Sequence, residues 1–255
     1  MFAAAIEEPP RLMSFTILAV LTGAIAAGFV SGLSGFAFAM VSISIWAWVL
    51  APKLIAPLVV AGALTAQLVS LGSLRMRIDW PRLLPFLIGG VAGVPFGIAL
   101  LEVIDLRVFR AVTGVVLIVY CATMLMLAGL PAIHWGGRFA DGVSGLVGGV
   151  MGGLAGLTGP VPTLWCNLRG WDKDTQRAIF QSFNLVMQVI TLAGYAWAGR
   201  LDAAFWSLGV LVLPAVLLPA WFGTMLYTRL SDRMFRRIIL ALLLVSGVLL
   251  VSSTL

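Results

Sequence analysis

Charge is what this chain has least of. Asp, Glu, Lys and Arg make up only 10% of its 255 residues, against 61% hydrophobic, whereas a soluble domain carries roughly 25% charged residues. So few charges cannot clothe a water-facing surface, which excludes a soluble globular domain. The alternating apolar segments of about ten residues that mark a transmembrane β-barrel are also missing. The apolar runs here are continuous and approach the length of a membrane-crossing helix. The chain therefore reads as all-α, a polytopic transmembrane helical protein. One histidine and two cysteines provide no metal-ligand spacing, and there is no phosphate-binding loop, so no cofactor and no metal is expected. Cys121 and Cys166 lie in or beside apolar runs and are expected to be free. The N-terminus has no basic region followed by a small-residue cleavage site and does not read as a secretory signal peptide. The net charge of +6 comes from cations in short loops beside apolar spans, which fits a positive-inside bias rather than nucleic-acid binding.

What the chain has in excess is glycine inside its apolar runs, in a pattern that occurs twice. The stretch Gly28-Phe29-Val30-Ser31-Gly32-Leu33-Ser34-Gly35 is echoed by Gly149-Val150-Met151-Gly152-Gly153-Leu154-Ala155-Gly156, with Gly28, Gly32, Leu33 and Gly35 matched at an offset of 121 positions. Each Gly costs roughly 1 kcal/mol against Ala in a helix interior. Paired Gly-interrupted apolar segments in corresponding places of two halves point to a transporter's binding site. The competing reading is close helix packing through small residues.

Five apolar segments are expected in the first half, at about 14–31, 36–50, 54–73, 83–101 and 111–130, and the second half repeats the plan. Gln67 meets Gln188 at the offset of 121, while Phe96-Gly97 meets Phe222-Gly223 and Phe109-Arg110 meets Phe235-Arg236 at 126. The segment from Gly129-Leu130-Pro131 to Gly136-Gly137 forms the seam, giving a first transmembrane repeat over 1–131 and a second over 132–255. Counting five segments per half makes the repeats inverted. Arg11, Lys53, Arg107, Arg110 and Arg200 then share one side, and the other eleven cations share the opposite side. Four per half gives a less biased split of ten to six, so the positive-inside rule favours five plus five, with the cation-rich side cytoplasmic and both termini outside. The nine tryptophans mostly fall near expected span ends, as an interfacial belt would.

No ionisable residue falls in the middle of an expected span, whereas proton and cation relays normally bury one. Glu102 and Asp141, at span ends, are the groups that could be drawn inward. The interior offers neutral hydrogen-bonding groups instead: Ser31, Ser34, Thr65, Gln67, Ser70, Thr158, Gln181, Ser182, Asn184, Gln188 and Thr191. A broken helix exposes backbone N–H groups and the positive end of its dipole, which binds anions without a charged side chain. Ser34 is placed to cap the helix after the first break, and Thr158-Gly159-Pro160 reads as a cap followed by proline in the first turn. The expected substrate-binding set is Gly32, Ser34, Gly35, Gln67, Gly153, Gly156, Thr158, Gly159, Asn184 and Gln188, with two helix N-termini converging on Gln67 and Gln188. For each Gln the plainer reading is an interhelical hydrogen bond. Gln181, Ser182, Asn184 and Gln188 also share a helical stripe.

Gly32-Leu33-Ser34-Gly35 resembles the Gly-x-Ser-Gly nucleophile motif of rhomboid proteases, but that chemistry needs a histidine base. His134 is expected in the loop between halves, and Ala155 stands where Ser34 would repeat. No enzyme activity is expected.

Taken together, the paired Gly-Leu-x-Gly breaks, the loop ending at Asp79-Trp80 and the Phe-Arg pairs at 109–110 and 235–236 resemble the sulfite exporter TauE/SafE family of membrane permeases. Phe36-Ala37-Phe38-Ala39 stands where family members typically carry further glycines, while Leu157-Thr158-Gly159-Pro160 keeps one. The resemblance implies export of sulfur-containing anions such as sulfite, sulfoacetate or other organosulfonates across the inner (plasma) membrane. The implied partners are a small anionic substrate and membrane lipid, not nucleic acid, and a homodimer is compatible with this reading. The alternatives are a carrier for a carboxylate or another small anion, and a membrane assembly subunit with no solute path.

Overall fold

Each half of the chain begins with a long helix, a glycine turn and a nine-residue helix, followed by three more long helices. The computed structural model describes residues 10–71, 79–126, 133, 135–227 and 232–254, and all regular structure among them is helical. The first half comprises α1 (Pro10–Ser34), α2 (Phe38–Trp46), α3 (Pro52–Leu71), α4 (Trp80–Val103) and α5 (Leu106–Met126). The second comprises α6 (Gly137–Ala155), α7 (Pro160–Leu168), α8 (Lys173–Trp197), α9 (Ala203–Tyr227) and α10 (Asp232–Ser252). Segments of α1, α3, α4, α5, α8 and α9 are long and apolar enough to cross a membrane. At 1.5 Å per residue, α2 and α7 each reach only about 14 Å, roughly half the hydrocarbon thickness.

Both short helices run back along the helix before them. At the end of α2, Trp46 is fully buried and its Nε1 donates to the Val20 carbonyl at 3.1 Å. This Trp is a packing residue and does not belong to an interfacial belt, because Gly23 leaves room for its ring. In α7, Trp165 Nε1 donates to the Asp141 carboxylate at 2.7 Å, and Arg169 pairs with the same carboxylate at 3.5 Å.

Ion pairs mark the two ends of the bundle. At one end Glu102, closing α4, pairs with Lys53 in the first turn of α3 (3.6 Å) and with Arg200 beyond α8. Arg110, opening α5, donates to the Ala47 carbonyl at 2.9 Å at the same end. At the other end lie Asp141 and Arg169, with the guanidinium groups of Arg82 and Arg169 over the Trp171 ring. Asp79 caps α4 there by accepting the Arg82 N–H at 3.2 Å.

The repeat relation is visible contact by contact. Gly28 of α1 abuts Val216 of α9, and its counterpart Gly149 of α6 abuts Gly90 of α4. Gly32 meets Ala220 and Thr224, while Gly153 meets Val94 and Ile98, again at offsets of 121 and 126. Numbers rise together in both pairs, so α1 runs parallel to α9 and α6 parallel to α4. In α5 against α10 they run oppositely: Gly114 lies beside Leu250 and Val251, and Ile118 beside Gly247. A helix and its repeat copy packed antiparallel are what a pseudo-two-fold in the membrane plane produces. Accordingly α1 starts at the Glu102 end and α6 at the Asp141 end, as inverted five-plus-five halves require.

Candidate functional site

The helix breaks fall on one glycine per copy. α1 passes through Gly28 and Gly32 without interruption and stops at Ser34; Gly35 then takes φ +82°. α6 likewise passes through Gly149, Gly152 and Gly153, and Gly156 takes φ +72°. Such left-handed backbone is where glycine is favoured. Gly32 and Gly153 therefore belong to the helix crossings described above. Their hydrogens allow backbone-to-backbone approach to α9 and α4, the packing role that competes with a site role.

Local hydrogen bonds hold each turn. Ser34 Oγ donates to the Val30 carbonyl at 2.8 Å and accepts the N–H groups of Ala37 (3.1 Å) and Phe36 (3.4 Å). The N-cap position of α2 itself is Ala37, so Ser34 secures the turn from three residues upstream. At the second break the N–H of Gly156 reaches the Gly152 carbonyl at 2.7 Å and that of Leu157 the Met151 carbonyl at 3.2 Å, which satisfies carbonyls at the end of α6. Gly159 is the N-cap of α7 and Pro160 opens it. Thr158 does not cap; its hydroxyl donates to Asn184 Oδ1 at 2.9 Å. Because Pro160 and Pro162 lack an N–H, Val161 is the one amide donor among the first three residues of α7. The second helix end thus offers a dipole but few donors.

The two breaks meet. A Cβ on Gly159 would sit 3.2 Å from both the Phe36 ring and the Asn184 amide nitrogen. Phe36 packs edge-on against Tyr120 and Phe180, with ring centroids 5.8 and 5.7 Å away. Gly35 abuts the Gln181 amide nitrogen, and Gly156 abuts Val59 and Val60. Both turns therefore lie against the interior of spans α8 and α3.

The α8 side of this junction carries the polarity. Gln181, Asn184, Gln188 and Thr191 are all at least 97% buried, on a stripe spaced three, four and three residues apart. Both side-chain polar atoms of Gln181, Nδ2 of Asn184, Oε1 of Gln188 and Oγ1 of Thr191 make no hydrogen bond within the protein. Burying such a group unpaired costs roughly 1–3 kcal/mol. Gln67, from α3, points its Nε2 at the backbone carbonyl of Gln181 (3.3 Å). Nearby, Ser70 Oγ lies 3.1 Å from Thr224 Oγ1, which also reaches the Gly32 carbonyl at 3.4 Å.

The repeat makes this polarity one-sided. Val60, Ala61 and Ala63 of α3 occupy the positions equivalent to Gln181, Ser182 and Asn184, and Ala37 is the counterpart of Thr158. Gln67 and Gln188 remain equivalent in sequence, yet Gln67 is engaged by α8 backbone while Gln188 Oε1 has no partner. Of the stripe, Gln181 and Thr191 lie outside the expected binding set, and Gln181 is the one whose counterpart in the other copy is apolar. Comparing the two copies position by position, and asking where one is polar and the other apolar, would have singled it out.

Cys121 and Cys166 are free and buried, and no cluster of three metal-ligating side chains occurs among the described residues. His134, the loop through Arg75 and Arg77, and the Gly129–Pro131 part of the seam lie outside the described residues.

Among the described residues, six membrane-length apolar helices and two glycine-broken hairpins in inverted halves define a multi-pass membrane protein. Residues 20–250 match the family described as Sulfite exporter TauE/SafE, and the chain belongs to that family. It is 27% identical over 176 residues to a "Probable sulfite/organosulfonate exporter TauE" from Cupriavidus necator, covering 67% of this chain and 68% of that one. No solved structure matches it.

Proposed function

We propose that this protein exports small sulfur oxyanions, such as sulfite or organosulfonates including sulfoacetate, across the inner (plasma) membrane by alternating access. The observation that carries the reading is the pair of buried amides, Gln181 and Asn184, whose unpartnered N–H groups face the two helix breaks. An SO3 group presents three oxygen acceptors, and neutral amides with helix-end dipoles of about half a charge hold it without a fixed cation. Coulomb attraction strengthens as the dielectric falls, so a buried Arg would bind an anion harder and release it slowly. Neutral donors suit turnover. The inverted halves supply two related conformations, each opening the junction toward one membrane face.

The test is uptake of sulfite, thiosulfate, taurine, sulfoacetate and simple carboxylates by liposomes containing the purified protein. Uptake of sulfite or a sulfonate in preference to carboxylates is expected. Preference for carboxylates would replace this reading by a carboxylate carrier, and failure of a folded protein to move any of them would favour an assembly role.

A further inference from the structure

A groove of about 510 Å³ opens on the outside of the α4–α6 pair at the Asp141 end of the bundle, within the size range of small-molecule sites. Its walls include Pro81, Pro85 and Gly89 of α4 and Arg138, Phe139 and Gly142 of α6. Below the rim the lining is apolar, and at the rim stand Phe139, 82% exposed, and the exposed Arg138. Among the described residues no carboxylate lies within ion-pair distance of Arg138. Asp141, one turn on, is taken by Arg169 and Trp165.

The pseudo-symmetric place on the α1–α9 pair is built differently. Leu211 and Ala215 stand where α4 has Pro85 and Gly89, and Ile17 and Leu21 where α6 has Arg138 and Gly142. The equivalent positions thus carry larger side chains than Gly89 and Gly142, and no cation. Both the groove and its charge are confined to one leaflet, at the end that carries the larger share of cations and so faces the cytoplasm by the positive-inside rule.

We infer that this groove is a binding site for an anionic phospholipid, one acyl chain lying along Gly89 and Gly142 and the phosphate held by Arg138. The chemistry matches head to tail: an unpaired cation at the rim, apolar walls below it, and a leaflet where anionic lipids concentrate. A second copy seated face to face on this groove would bring no carboxylate to Arg138, because the lining contains none.

Native mass spectrometry of the purified protein with equal amounts of phosphatidylglycerol and phosphatidylcholine tests this without reference to transport. The wild type is expected to retain phosphatidylglycerol preferentially. Arg138→Gln, an exposed change, should weaken that retention about fivefold and weaken phosphatidylcholine binding less, because the choline cation already offsets that lipid's phosphate charge. Gly142→Leu, which copies the other half, should displace both lipids; a Cβ there meets only the Pro85 carbonyl at 3.6 Å, so the fold should persist, as melting in lipid-free detergent checks. Equal phosphatidylglycerol retention by wild type and Arg138→Gln would overturn the inference. So would loss of a dimer mass in Gly142→Leu with lipid retention unchanged, which would make the groove a contact between copies.

Discussion

At the residue scale, the proposed role of the α8 amides sets stability against function. Gln181 is 1% exposed with neither side-chain polar atom hydrogen-bonded, so Gln181→Leu removes a desolvation cost of roughly 1–3 kcal/mol. The expected outcome is a melting temperature at or above that of the wild type together with loss of anion uptake. A variant that is both less stable and inactive would show that the amide is structural. Gln188 supplies a test of charge. Gln188→Glu should depress uptake further than Gln188→Ala at pH 8, where an ionised carboxylate repels the anion. Equal residual uptake in the two variants would place Gln188 outside the anion's path.

At the scale of elements, the breaks depend on backbone that only glycine adopts readily. Gly35, Gly156 and Gly199 all have positive φ, but the space above Gly199 is empty, whereas Gly35 abuts Gln181 and Gly156 abuts Val59 and Val60. Gly199→Ala therefore isolates the conformational cost, roughly 1–2 kcal/mol. Gly35→Ala and Gly156→Ala should destabilise by more than this, because each new methyl also displaces a neighbour. Detergent melting of the three variants gives the comparison, and equal losses would mean that the turns are loosely packed. The same arithmetic separates break from crossing. Gly32→Ala puts a methyl against the Ala220 carbonyl and the Thr224 N–H, so it should loosen the α1–α9 pair without altering the turn at Gly35.

At the scale of the whole molecule, inversion predicts which face each loop meets. Arg107 lies just inside α5 at the Glu102 end, and Arg138 opens α6 at the Asp141 end; both are exposed. With the native cysteines buried, Arg107→Cys should react with a membrane-impermeant thiol reagent in intact cells, while Arg138→Cys should react only after permeabilisation. Labelling of both from the same side would contradict the inverted arrangement.

Much of this architecture was legible in the chain itself. Scarcity of charge left no way to cover a soluble surface, and a repeat offset of 121 shifting to 126 located two halves before any contact was known. Sequence also identified the broken stretches, because clustered glycines weaken a helix in either environment. It could not say which glycine breaks the helix: Gly32 and Gly35 look alike until α9 is seen to press on one and Gln181 on the other. Nor could it separate Gln67 from Gln188, since equivalent positions in a repeat gain different neighbours once the copies diverge. Composition and period determine that the chain must bury its backbone in helices, repeated in two halves; that the halves are inverted is shown by the contacts between them. Which buried amide is left without a partner is decided by what packs against it: Gly35, from the first half, offers Gln181 no side-chain group, while Thr158 satisfies only the oxygen of Asn184.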